Sequence, residues 1–195
     1  MEKGGLTESL KLAEVGPGQQ VAWADEMRLG LLGQLRGVWG VRGIKIRQHL
    51  EQVYNWSYLA LAVDGVMGKL WWQWIPNMKK ASIQVVVENW RKEGVAALVW
   101  DRAPSHRAQV VRAVGLPLIE QPAYCPELNP AERVFEELRR AVEGRVYGSI
   151  DKKIAAVESA LKDLAATPER VQSLAGWSWI HHSLNQLPQS FTAFS

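Results

Sequence analysis

Three acidic residues fall where their carboxylates could act together. Asp25 closes the apolar run of residues 20–24 and is followed by Glu26, and Asp101 closes a second apolar run, 96–100. Glu132 comes just after Asn129 and Pro130, at the head of a segment whose Val134, Phe135, Leu138 and Val142 recur at helical spacing. Short apolar runs that stop at an acid predict buried strands with a carboxylate at the C-terminal lip. Hard divalent cations take several oxygen ligands, and two such ions roughly 3.5–4 Å apart need carboxylates arriving from separate elements. Asp25, Asp101 and Glu132 are the candidate set.

Each acid also has a plainer role open to it. A lone acid at a strand tip serves commonly as an N-cap or a turn residue. With Asn129 as N-cap and Pro130 at the first helical position, Glu132 falls at the third, where a glutamate completes a capping box and favours the helix dipole. The presence of three acids, not any one of them, turns the reading toward a metal site.

The elements that must position these acids follow from periodicity. Residues 54–63 predict a strand, Asp64-Gly65 a turn, and 69–75 its partner strand, with Trp71, Trp72 and Trp74 alternating between its faces as core residues. Residues 82–93 predict a helix with Ile83, Val86, Val87 and Trp90 on one side and Gly94 ending it. A second helix over 106–114 follows the Asp101 loop, and 116–120 is one more strand. Three strands, helix, strand, helix, strand, helix is the ribonuclease H-like plan: an α/β fold with a mixed five-stranded sheet flanked by helices. Such a sheet places the first strand centrally beside the strand ending at Asp101, and its site forms at the C-terminal strand edges. On the Glu132 helix, Glu136, Arg139 and Glu143 share the side of Glu132, with Arg139 available to pair with Glu136 or to meet a phosphate. Additional C-terminal helices are predicted over 149–166 and 169–174, divided by Thr167-Pro168.

The segments WADEMRLGL, VWDRAPSHRA and YCPELNPAERVFEELR together resemble the catalytic domain of the DDE transposases, specifically the mariner-like superfamily and its bacterial insertion sequence six-thirty branch. The likeness runs from about Trp23 to the last helix. The family pattern of Asp-Glu after a first strand, Asp-x-Ala-x-x-His after a later one and Tyr-Ser-Pro-x-Leu-Asn-Pro-x-Glu entering a helix corresponds to Asp25-Glu26, Asp101 to His106, and Tyr124 to Glu132. Cys125 stands in place of the serine, and the thirty-residue gap between Asp101 and Glu132 is shorter than mariner-type elements usually show. The resemblance implies catalysis by Asp25, Asp101 and Glu132 on two Mg²⁺ ions, with Mn²⁺ able to substitute, and DNA cleavage and strand transfer at transposon ends. It also implies double-stranded DNA as partner, a homodimer in the active complex, and helix-turn-helix domains upstream, in the same chain or as a separate reading-frame product. His106 matches the family's histidine and is a candidate helper, not a metal ligand. A non-catalytic DNA- or partner-binding remnant, or a nuclease that cuts without joining, are the alternatives.

Composition sets the remaining bounds. With 195 residues, 47% hydrophobic and 22% charged, the chain is long enough for one domain with a substantial core. Residues 1–18, broken by Gly16-Pro17-Gly18, are expected to be a linker remnant, and 19–195 the catalytic domain. One cysteine excludes an internal disulfide. No apolar run approaches the roughly 18 residues of a membrane span, and a cytoplasmic location, on the bacterial nucleoid when bound to DNA, is expected. A net charge of +3 is too small to identify a nucleic-acid binder, but Arg28, Arg36, Arg42, Lys45 and Arg47 form a basic, glycine-punctuated ribbon next to the first acid, a candidate contact to DNA phosphates.

Overall fold

The computed structural model describes residues 5–32, 39–47, 49 and 51–188. Its central strand is β1 (Gln20–Gly30). β2 (Trp56–Asp64) and β3 (Lys69–Ile75) add to one edge of it as antiparallel neighbours, and β4 (Val95–Trp100) and β5 (Leu118–Glu120) add to the other in parallel. The order β3-β2-β1-β4-β5 is the mixed five-stranded sheet expected from the sequence.

Two layers of helix cover it. Helices α2 (Lys80–Lys92) and α3 (Gln109–Arg112) lie on one face, where Ile83, Val86, Val87 and Val111 meet Ala22 and Ala24 of β1 and Leu98 and Trp100 of β4. The other face carries α4 (Ala131–Val142), α5 (Ile150–Ala165), α6 (Pro168–Ala175) and α7 (Ser178–Asn185). Their Val134, Phe135, Leu138, Val157, Leu161, Val171 and Ile180 bury against Val21, Trp23, Met27 and Leu29 of β1. Alternation along β1 thus sends odd positions to the α4 side and even positions to the α2 side. Helix α1 (Gly5–Leu12) joins the α4-side core through Leu6 and Leu10, and its Thr7 hydroxyl donates to the Ser183 carbonyl in α7 at 3.1 Å.

Several boundaries differ from the periodic reading, each for a physical reason. β1 does not stop at Asp25 but runs five residues further, because β2 continues to pair with it from Glu26↔Ala60 to Gly30↔Trp56. Pairing with β4 ends at Trp23↔Val99, so Asp25 lies in mid-strand, just past the point where its parallel neighbour runs out. The helix expected over 106–114 shrinks to the single turn of α3, because the preceding residues are held in turns closed by the Ala103 carbonyl, which accepts from the backbone of His106 and Arg107. The tryptophans of β3 divide as expected for a strand. Trp71 packs on the α2 side, while Trp72 and Trp74 lie on the other face and both donate to Glu158 Oε2 of α5, at 3.0 and 3.1 Å.

The β2–β3 turn is tied to α6 by close backbone approach. Gly68 has φ +69°, and a Cβ there would lie 2.5 Å from the Pro168 carbonyl oxygen. Gly68→Ala adds left-handed strain to a backbone clash, an expected loss of about 2 kcal/mol or more and a melting temperature lower by roughly 4–8 °C, read by thermal unfolding.

Candidate active site

The side chain of Asp25 emerges on the α4 face of β1, anchored two residues earlier by Trp23, which is fully buried and edge-on to Trp179 with 6.1 Å between ring centroids. Asp101 follows the last residue of β4. Extending the parallel register by two residues past Trp23↔Val99 brings Asp25 and Asp101 level. Glu132 enters from the first turn of α4, which packs across β1. The three acids line one cleft of about 470 Å³, together with Arg102, Gln121, Tyr124 and Asn129. Tyr124, with a fully exposed side chain and φ +58°, stands on its rim.

Asn129 links α4 to β1. Its side chain is 2% exposed; Nδ2 donates to the Ala24 carbonyl at 3.0 Å and to Asp25 Oδ2 at 3.3 Å, while Oδ1 accepts from the Ala131 amide at 3.1 Å. The Asn129 backbone N–H is already taken by the Pro126 carbonyl at 2.9 Å, the closure of a 3₁₀ turn over Pro126–Leu128. No capping box therefore forms, and Glu132 is released from that role. Its contact is Arg139, at 3.8 Å, on the exposed side of α4; Glu136 pairs instead with Arg133 and Arg140. Asn129→Ala strands a buried carbonyl and frees Asp25, and is expected to cost on the order of 1–3 kcal/mol in thermal unfolding.

His106 was expected beside the acids as a helper, and it sits behind Asp101 instead of in the cleft. Nδ1 meets Asp101 Oδ1 at 2.6 Å, and Nε2 meets both oxygens of Glu26, at 3.1 and 3.2 Å. The ring stacks on Trp100 at 3.9 Å between centroids, 25° from parallel. Both partners are carboxylates that only accept, so both ring nitrogens must donate, which is the imidazolium form. Burial pulls its pKa down, but the hydrogen bonds it donates to Asp101 and Glu26, with their negative charges, outweigh burial and push it up to about 9. The same bond from His106 holds the Asp101 carboxyl below the usual range, helped by the Ala103 amide. Both of those bonds use Oδ1, which leaves Oδ2 of Asp101 for the cleft.

Asp25 behaves oppositely. Burial raises its pKa to about 7; the Glu26 amide opposes that, and the negative charges of Glu26, Glu132 and Asp101 add to it. A carboxylate raised this way makes the fold more stable when protonated, so this contribution to stability falls as pH climbs from about 4 to 7. A cation at the cleft would offset the repulsion. The donor set fits a hard divalent cation in kind: carboxylate oxygens from three separate elements around one cleft, with mutual repulsion acting on the buried member. Among the described residues no three acidic, histidine or cysteine side chains stand at coordination spacing, so closing on a metal requires side-chain rotation, chiefly of Glu132 away from Arg139. Mg²⁺ is therefore expected to raise the melting temperature more at pH ~8 than at pH ~5.5, where protons compete for Asp25; an equal shift at both would contradict the assignment.

The basic ribbon is split. Arg28 lies on β1 with its guanidinium 4.1 Å above the Trp56 ring, while Arg42, Lys45 and Arg47 are exposed and outside regular structure. Arg36 lies outside the described residues. Glu26 and Asn129 are the site residues whose roles the sequence did not disclose. Glu26 was visible only as the second letter of an Asp-Glu pair, and Asn129 only as a helix cap.

Residues 20–153 match the family described as DDE superfamily endonuclease. No curated protein matches the chain. Among solved structures, similar folds occur in a Mos1 transposase paired-end complex with left transposon end (15% identity, TM-score 0.61, covering 90% of this chain and 59% of that one) and the Mos1 strand transfer complex (16%, 0.63, 95% and 60%). A third is the mariner Mos1 paired end complex with Mg (16%, 0.60, 97% and 60%). The chain spans about 60% of the length of these structures, and the likeness is of ribonuclease H-like fold.

Proposed function

Because this chain belongs to the DDE superfamily endonucleases, we propose that it is the catalytic domain of a transposase, cutting DNA strands at the ends of a mobile element and joining them to a target. The observation that carries this is the gathering of Asp25, Asp101 and Glu132 from β1, the end of β4 and α4 around one cleft. In the first step water attacks phosphorus in line and the bond to the 3′ oxygen breaks, leaving a 3′-hydroxyl and a 5′-phosphate; in the second, that hydroxyl attacks a target phosphodiester, forming a new bond to its phosphorus as the target's own P–O3′ bond breaks and its 3′-hydroxyl leaves. Two divalent ions, Mg²⁺ or Mn²⁺, held by the three acids would supply activation of the attacking oxygen and stabilisation of the leaving one.

The chain's own residues then have separable tasks. Asp25 and Glu132 present oxygens from opposite walls of the cleft. Asn129 fixes the distance between β1 and the first turn of α4 by bonding to both. Glu26 and His106 hold Asp101 in one rotamer from behind, as positioning residues. DNA ends are the substrate under this reading, with a second copy of the chain to handle the second end and an upstream helix-turn-helix segment to recognise the sequence, all acting in the cytoplasm. No helix among the described residues is long and apolar enough to cross a membrane.

The test is incubation with supercoiled plasmid and with duplexes bearing candidate ends, in Mg²⁺, Mn²⁺ or EDTA. Metal-dependent nicks with 3′-hydroxyl ends, followed by joined products when the recognition half is supplied in cis, are expected. Nicking that never leads to joining under those conditions would indicate a simple nuclease. Absence of cleavage in either metal would indicate a binding remnant.

A further inference from the structure

The catalytic edge of the sheet ends on a glutamine whose amide nitrogen the fold leaves unpaired. β4 and β5 pair as far as Trp100↔Glu120, so the next step sets Gln121 beside Asp101, as Asp101 is set beside Asp25. Val99 and Ile119 both bury on the α4 side, and alternation returns the side chains of Asp101 and Gln121 to that same face. Asp25, Asp101 and Gln121 thus form one row across β1, β4 and the end of β5. The Gln121 backbone is pinned: its N–H donates to the Trp100 carbonyl at 2.7 Å, and its carbonyl accepts from Arg102 Nε at 3.0 Å. The residue is 3% exposed and lines the catalytic cleft, yet Nε2 is wholly buried with no hydrogen-bond partner among the described residues.

An amide donor taken out of water without an acceptor destabilises the fold, and buried polar groups left in that state are few. The other side-chain donors of the cleft are already engaged. Asn129 Nδ2 is shared between the Ala24 carbonyl and Asp25 Oδ2, Cys125 Sγ reaches the Ala123 carbonyl, and Arg102 is turned to the Gln121 carbonyl and to Glu120. The Gln121 amide is therefore the buried donor in this wall that awaits an acceptor. Its carboxylate neighbours in the row are held in place by other bonds, which leaves an occupant of the cleft to supply that acceptor.

We propose that Gln121 is a further catalytic residue, whose Nε2–H₂ donates to a non-bridging oxygen of the phosphorus under attack. The proposal rests on the reading of this cleft as the cutting site. As the attacking oxygen adds to phosphorus and the leaving oxygen departs, negative charge gathers on the non-bridging oxygens, and the amide bond to one of them strengthens; no proton moves to or from Gln121. A neutral donor suits the position. A lysine or arginine beside Asp101 would pair with the carboxylates and compete with cations for them, whereas an amide brings a dipole and no net charge. Rotation about the side-chain torsions carries the NH₂ group from the wall to the cleft while the backbone stays held by Trp100 and Arg102.

The experiment compares wild type with Gln121→Met, which keeps the unbranched shape and removes the donor, and with Gln121→Glu, which offers only acceptors at pH ~8. Each is measured in Mg²⁺-dependent duplex cleavage, in Mn²⁺ binding read by electron paramagnetic resonance, and in thermal unfolding in EDTA. Gln121→Met should lower kcat about 10²-fold with KM for duplex within about threefold of wild type. It should bind Mn²⁺ within about twofold of wild type, and it should melt roughly 2–8 °C higher because the orphaned donor is gone. Gln121→Glu should be as slow in cleavage as Gln121→Met. Sulfur in place of the contacted oxygen, introduced as separate diastereomers at the mapped cut phosphate, should slow wild type by about tenfold or more and leave Gln121→Met no slower than it already is. Equal sensitivity to sulfur in the two proteins would overturn the proposal. A Gln121→Met protein that melts lower yet cleaves at the wild-type rate would make the side chain structural and also overturn it. Cleavage retained by Gln121→Glu, or Mn²⁺ affinity lost in Gln121→Met, would reassign the amide oxygen as a cation ligand, with the same consequence. Wild type that cleaves in neither Mg²⁺ nor Mn²⁺ would remove the transposase reading and this role together; wild type and Gln121→Met cleaving equally well would remove this role alone.

Discussion

Asp101→Asn is expected to abolish metal-dependent strand cleavage, lowering the rate by at least about 10³-fold, in a protein that still folds and binds DNA. The substitution is nearly isosteric and the side chain is 55% exposed, so packing is hardly disturbed, although the imidazolium of His106 loses one of its two carboxylate partners and with it part of its stabilising effect. What changes is chemistry. Asp101 lines the cleft with Oδ2 free of the bonds made by Oδ1, and replacing the carboxylate removes one unit of negative charge from the set proposed to hold divalent cations. Asp25→Asn should behave alike in cleavage but differ in stability. The wild-type carboxyl is raised to about 7 by burial and by its acidic neighbours, so its neutral replacement should raise the melting temperature at pH ~8 in EDTA. Thermal unfolding and plasmid nicking on the same samples separate the two effects. An Asp25→Asn protein that is both less stable and fully active would contradict the assignment.

His106→Ala carries the largest expected effect on stability. Glu26 is 8% exposed and His106 4% exposed, so removing the imidazole leaves a buried carboxylate without its partner. Breaking a buried pair in this way costs about 3–5 kcal/mol, or roughly 6–20 °C in melting temperature for a domain of this size. The pH dependence fixes the mechanism. With its folded pKa raised from 6.5 to about 9, His106 contributes stability that is fully present below pH ~6.5 and is lost as pH rises through ~9. Wild type should therefore lose stability across that window in EDTA, and His106→Ala should show a flatter profile there. Metal affinity should also fall by about 10- to 100-fold, because Asp101 loses the bond that selects its rotamer. Glu26→Gln keeps a hydrogen-bonding amide beside the ring and should be milder on both counts. A variant at His106 that melts lower but binds Mn²⁺ as wild type does would leave the residue a purely structural role.

How far the site was legible depended on the distance over which each signal acts. Asp25, Asp101 and Glu132 were visible because each follows a local pattern, an apolar run or a helix start, within a few residues. The helix stripe of Val134, Phe135, Leu138 and Val142 was buried as its spacing required. The end of β1 was misread because an Asp-Glu pair resembles a strand terminus, although the alternation of buried Met27 and Leu29 with exposed Arg28 already continued the strand. The helix at 106–114 was overextended because Val110, Val111 and Val114 suggest helical spacing; Val111 is buried, Val110 is 39% exposed, and His106 is drawn out of any helix by its bonds to two carboxylates. Glu26 finds His106 eighty residues away, Asn129 finds Ala24 105 away, and Lys153 finds Gly30 123 away. No periodicity encodes such pairings, since they follow only from the order in which the strands assemble.

The most direct measurement is anomalous scattering from crystals of the protein grown with Mn²⁺. Two peaks bounded by the carboxylates of Asp25, Asp101 and Glu132, roughly 3.5–4 Å apart, are predicted, with Glu132 turned from Arg139 toward the cleft. Manganese bound elsewhere, or a cleft without anomalous density under conditions that support cleavage, would contradict the account.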